Sequence, residues 1–248
     1  SMDVPYEITS PHAWLFMARN HDRFAKYFQD EFSVTLSRPA DSGTATTAER
    51  QTIILQGASQ DIGRVIQFLD ENVASGDRFL HYRVDLLNCS SYKYKSFEKF
   101  IRNMWHKKFS PDRVPTRGTN PVAVGSSPLP LVKMTPYLPK TQRIQDLPFP
   151  MDVTVEVWIH ENHGEAMMNE TISSLTKLDE EFCFREFEIK KAQFDEYIEP
   201  YLRVETERCK FYQATGIDGV TWDKHSCTVK IWATSEQIVD SAFEYLMD

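Results

Sequence analysis

Polar and apolar residues alternate from Ser33 to Arg38 and again from Gln51 to Gly57. A period of two marks half-buried strands. From Ser59 to Val73 the apolar positions are Ile62, Val65, Ile66, Leu69 and Val73. That spacing lays one stripe along a helix, with Ser59 placed to cap it. A strand at Tyr6 to Thr9 and two helices flanking Ala18 to His21 complete a strand, helix, helix, strand, strand, helix order in residues 1–76. The same order returns near the other end. Phe182 to Ile189 reads as a strand, Phe194 to Tyr201 and Thr206 to Ala214 as helices, and Thr215-Gly216 as a helix stop. Val220 to Trp222 and Cys227 to Ala233 follow as strands. Thr234 is placed to cap a last helix striped by Ile238, Val239, Ala242, Phe243 and Leu246.

The stretch between is less regular. A strand is predicted at His81 to Leu87, a helix at Ser96 to Phe109, a short strand near Leu131 to Met134, a strand at Val153 to Ile159 and a helix from His160 to Leu178. Pro111 to Pro150 holds nine of the thirteen prolines. Missing amide donors and a fixed φ exclude long helices and central strands there. The segment reads as an insertion pinned against the folded body.

The order of elements resembles that of type I K homology (KH) domains. In that family a Gly-x-x-Gly loop between the first two helices holds the backbone of about four nucleotides. The corresponding positions here are Ala18-Arg19-Asn20-His21 and Leu202-Arg203-Val204-Glu205, and neither carries a glycine. The expected fold is therefore α+β, with three tandem type I KH-like units in one compact body: 1–76, a divergent 77–180 with the insertion 111–150, and 181–248. Repetition of one supersecondary pattern supports the reading more than any single copy does. Tandem KH units of which some have lost the clamp are similar to those of Bicaudal-C-type regulators. That resemblance implies a cytoplasmic role in post-transcriptional mRNA control and translation regulation, in complex with protein partners.

Charge sharpens this expectation. The whole chain carries −8 with a pI near 5.4, the wrong sign for affinity drawn from phosphate neutralisation. Yet residues 91–117 hold eight basic residues against Glu98 and Asp112, interleaved with Tyr92, Tyr94, Phe97, Phe100, Trp105 and Phe109. Basic and aromatic residues together suit a single strand of RNA. Lys93, Lys95, Lys99, Arg102, Lys107 and Lys108, with Arg19 and Arg23 as auxiliaries, are the candidate RNA contacts. The competing reading makes the aromatics helix core and the lysines its solvated face, with the KH units a purely structural scaffold for protein–protein interaction. Thirteen acidic residues between Glu161 and Glu207 argue against RNA contact by the last unit. They suit a basic protein partner instead, with Tyr197 and Tyr201 as candidate anchors.

Other motifs are weaker. Gly216-Ile217-Asp218-Gly219 matches the clamp literally but leaves no room for the helix that must follow it, so it reads as a helix stop and a turn. His160-Glu161-Asn162-His163 falls one residue short of the zinc-binding His-Glu-x-x-His helix and reads as a solvated helix start. Cys89, Cys183, Cys209 and Cys227 lack Cys-x-x-Cys spacing and read as buried thiols. No nucleophile elbow, Walker loop or dinucleotide fingerprint occurs. The expectation is a protein without catalytic residues, metal, cofactor or small-molecule substrate. No run of eighteen apolar residues and no basic-apolar leader is seen, so membrane association is not expected.

Overall fold

The alternation in β1 (Met2–Ile8) and β3 (Gln51–Gly57) is met by antiparallel pairing along their whole length, Met2 opposite Gly57 and Ile8 opposite Gln51. β2 (Thr35–Ser37) takes the other edge of β3, with Leu36 opposite Leu55. The computed structural model describes residues 1–37, 51–108, 118–124, 126, 128, 130–138, 146 and 148–248, with the backbone alone at 51 and 104–108. Residues 38–50, between β2 and β3, and much of the proline-rich insertion lie outside the described residues.

Two further sheets repeat the arrangement. β4 (Phe79–Cys89), β5 (Leu131–Thr135) and β6 (Met151–His160) lie in the order β4-β6-β5. β7 (Cys183–Glu188), β8 (Gly219–Asp223) and β9 (Thr228–Ala233) lie in the order β7-β9-β8. In every sheet the last of the three strands in sequence takes the centre. The chain is thus α+β, with three separate three-stranded antiparallel sheets and their helices.

The chain divides into two compact units. One comprises Ser1–Val84, Met104–Lys133 and Val155–Thr171, the other Asp85–Asn103, Met134–Thr154 and Ile172–Asp248. Residues 77–180 carry their own sheet and are shared between the two. In the first unit, α1 (Pro11–Arg19), α2 (His21–Phe32) and α3 (Ser59–Asn72) pack Trp14, Phe16, Phe24, Phe28, Ile62, Val65 and Leu69 around Ile53 and Leu55. Burying each such side chain stabilises the fold by roughly 1.5–3 kcal/mol. Ser10 caps α1, accepting from the Ala13 amide at 3.3 Å, and Pro11 fits the first helical position. At α3 the cap position is Ala58, without a side-chain bond, and Ser59 is already helical. Asp61 in the first turn supplies the favourable charge there.

The second unit centres on Phe194, Leu202, Phe211, Val229, Ile231, Val239 and Leu246. α6 (Lys191–Gln193), a π turn (Phe194–Ile198) and α7 (Glu199–Arg203) run as one piece into α8 (Glu205–Thr215). Gly216 ends α8 at φ 76°, the left-handed stop expected of it. Ser235 caps α9 (Glu236–Met247), accepting from the Ile238 amide, so the cap falls one residue beyond Thr234.

Two helices start elsewhere than the sequence pattern indicates. α4 spans Ser91–Lys108, and Ser90 receives the Lys93 amide on its hydroxyl and the Tyr94 amide on its carbonyl. Tyr92 to Lys95 therefore belong to the helix rather than to a segment before it. α5 spans Gly164–Glu181, because β6 runs on through His160 and a 3-10 turn fills Glu161–His163.

Candidate functional surfaces

At the first clamp position the chain has no loop. Asn20 alone joins α1 to α2, serving as C-cap of one and N-cap of the other. It is buried, and both its amide and its side-chain Nδ2 donate to the Phe16 carbonyl, at 3.1 and 3.0 Å. The Asn20 carbonyl accepts from the Arg23 and Phe24 amides. An amide already bonded to a helix carbonyl has no N–H left for a phosphate. The second clamp position is likewise a joint of one residue. Val204, in extended conformation, is the single residue between α7 and α8. Its carbonyl accepts from the Arg208 amide, and Arg208 also donates through its guanidinium to the Leu202 carbonyl at 2.8 Å. Glu205 and Glu207 occupy the first turn of α8, where they take the helix-dipole position that an anion needs.

The literal Gly-x-x-Gly is occupied from within the second unit. Ser96 donates to the Asp218 carboxylate at 2.7 Å, and Lys99 donates to the Ile217 carbonyl at 3.2 Å. The Lys99 ammonium also stands 5.6 Å from the centre of the Tyr212 ring. Burial pushes the Asp218 carboxyl above its ordinary range, against the opposing pull of Ser96 and Lys99. Gly219 leaves no room for a side chain, because a Cβ there would run into the Trp232 ring.

Four of the six predicted basic contacts on α4 are described, and each has a carboxylate of its own unit. Lys93 pairs with Asp179, Lys95 lies 3.6 Å from Glu98, Lys99 lies 3.8 Å from Asp218 and Arg102 lies 3.8 Å from Glu98. The aromatics between them are packed. Tyr92 stacks on Phe184 at 4.4 Å and meets Trp232 at 4.9 Å. Tyr94 is fully buried, donating its hydroxyl to the Pro136 carbonyl and accepting from the Leu138 amide. The two tyrosines are thus packing residues. Lys107 and Lys108 end the helix, and their side chains lie outside the described residues. Arg19, exposed at the end of α1, and Arg23, whose guanidinium burial pushes below its ordinary value, belong to the other unit.

Of the two predicted partner anchors, Tyr197 is 64 % exposed, and Tyr201 is half-buried with its ring edge-on to Phe211. Two neighbouring features were not singled out from sequence. Tyr245, seven residues after Ile238 at the edge of the apolar stripe of α9, is 49 % exposed, and Val204 is 46 % exposed at the α7–α8 joint. Tyr245 is legible as a further member of that stripe, at i+7 from Ile238.

His160 and His163 do not form a metal site. His160 bonds the Asn72 carbonyl through Nε2 and accepts the Asn162 amide at Nδ1. Burial pushes both imidazoles below their ordinary value, which favours the neutral form. Among the described residues no group of three or more metal-ligating side chains assembles. All four cysteines are free thiols; Cys89 and Cys227 are buried, whereas Cys209 on α8 is exposed, contrary to expectation. No described helix is long and apolar enough to cross a membrane. No family model matches the chain, and no curated protein or solved structure does so either.

Proposed function

We propose that this chain is a protein-interaction platform whose KH-like repeats are structural, placed by its resemblance to Bicaudal-C-type regulators in a cytoplasmic mRNA-regulating complex. One observation carries the reading: both clamp positions are single-residue helix joints rather than loops, and at the first the Asn20 amide is bonded to the Phe16 carbonyl. An RNA clamp needs a loop whose backbone can lie along the phosphates, and a joint of one residue offers none. The acidic first turn of α8 adds charge of the wrong sign.

A second reading, single-stranded RNA held along α4, draws on the 43 % exposure of Arg102 and on Glu98 serving both Lys95 and Arg102, so the two cations share one carboxylate. Binding of the purified chain to labelled single-stranded RNA pools at low and moderate salt separates the two. The platform reading expects no micromolar complex even at low salt. Micromolar binding whose salt slope reports several phosphates, at about −0.7 per contact, and which is lost on charge reversal at Lys95 and Lys99, makes RNA the ligand and overturns it.

A further inference from the structure

Building on the interaction-platform reading, we propose that Tyr197, Tyr201, Val204 and Tyr245 form a docking surface for a partner segment that sets basic side chains beside an apolar anchor. Single exposed apolar residues are ordinary on any protein. These converge. The fully buried Phe211 ring lies 6.4 Å from Tyr201 and 5.9 Å from Tyr245, so one core residue supports both. Burial and the neighbouring Tyr245 both push the Tyr201 hydroxyl above its ordinary value. Tyr197 precedes Tyr201 by one helical turn and Val204 follows it by another, so α6 to α8 lead the surface across the α7–α8 joint. That is where the KH resemblance puts the RNA clamp, and the structure has apolar side chains there instead.

Charge decides the occupant. Each of the three most exposed apolar residues has an exposed glutamate as its chain neighbour: Glu196 beside Tyr197, Glu205 beside Val204 and Glu244 beside Tyr245. The cations nearby are already engaged, Lys210 with Glu207 at 3.3 Å and both Lys224 and Arg203 with Glu199. Glu196, Glu205 and Glu244 have no ion pair among the described residues. A nucleic acid is repelled by this arrangement. An arginine or lysine finds a carboxylate and the face of a tyrosine together, and tyrosines on rigid helices are the residue type that anchors protein interfaces.

The test pans a displayed library of random short peptides against the intact chain and measures the selected peptides by fluorescence polarisation. The expected winners pair arginine or lysine with leucine or an aromatic. Their affinity falls about tenfold or more in Tyr197→Ala/Tyr245→Ala. It falls similarly in Glu196→Lys/Glu205→Lys/Glu244→Lys, which alters only exposed side chains, and thermal melts of both variants check that each is folded. Winners that bind both variants as tightly as the native chain overturn this surface and leave the platform reading standing, and acidic winners overturn the partner chemistry. An absence of winners overturns the surface, and RNA binding in the salt experiment then removes the platform reading as well.

Discussion

At Asp218 three influences meet on one carboxyl group: burial disfavours its charge, while Ser96 and Lys99 favour it, and burial prevails. A carboxyl whose value is raised on folding binds its proton more tightly in the folded state. Its contribution is therefore fully present below the ordinary value of 3.8 and is lost as the pH rises through the raised value. Asp218→Asn keeps the size of the side chain and removes the charge. Relative to that variant, the native chain should gain stability as the pH falls from 7 towards 4. Paired thermal melts across that range check it, and a constant difference would show that the Lys99 interaction offsets burial. The residue scale also shows what single positions can and cannot reveal. Gly216 after a helical pattern reads as a left-handed stop, and its φ of 76° agrees. Asp218, two residues on, gives no sign in sequence that Ser96 reaches it, because the two lie 122 residues apart.

The α1–α2 and α7–α8 joints make the same point for elements. Two helical patterns with one residue between them leave no loop, but sequence periodicity places boundaries only to within a few residues. Whether four residues form a loop or extend two helices is settled by which carbonyl takes the Asn20 amide. Placing glycine at Ala18 and His21 restores the clamp motif in letters alone. Ala18→Gly/His21→Gly should melt lower, by roughly 0.5–1 kcal/mol for each helical glycine. It should gain no RNA affinity, because Asn20 still bonds Phe16. Thermal melts and polarisation with labelled RNA measure both outcomes, and new RNA binding would show that the joint opens. At α4 the obstacle to reading was different. Tyr92-Lys93-Tyr94-Lys95 alternates like an exposed strand, yet Tyr92 and Tyr94 are both packed within one helix. Ser90 marks the start, but a serine is also what a loop would hold. By contrast, the stripe of α3 is legible in sequence: Ile62, Val65, Leu69 and Val73 are buried, and Ile66 is partly buried against the same core.

At the scale of the molecule, the order of strands in the three sheets reproduces the repeat seen in the sequence, whereas the compact units cut across it. Residues 181–248 contain a complete sheet, its helices and their shared core, so the pattern alone suggests a piece able to stand by itself. The second unit, however, also takes in residues 85–103, 134–154 and 172–180. From these, Tyr92 covers Phe184 and Trp232, Ser96 and Lys99 hold the Ile217-Asp218 turn, and Lys93 pairs with Asp179 at the end of α5. Cutting at residue 181 uncovers two aromatic rings and leaves Asp218 without either partner. Loss of one buried aromatic contact and of a hydrogen bond to a buried charged group each costs about 1–3 kcal/mol. A small domain has only about 5–15 kcal/mol in all. A fragment of 181–248 should therefore unfold at markedly lower denaturant than the same region in the intact chain and bind a hydrophobic dye. Adding a synthetic peptide of residues 90–103 should raise its midpoint, because the helix restores the cover over Phe184 and Trp232 and the bonds to Asp218. A fragment that matches the intact chain without the peptide would mean that α4 only rests on this sheet and that the third repeat is independent of it.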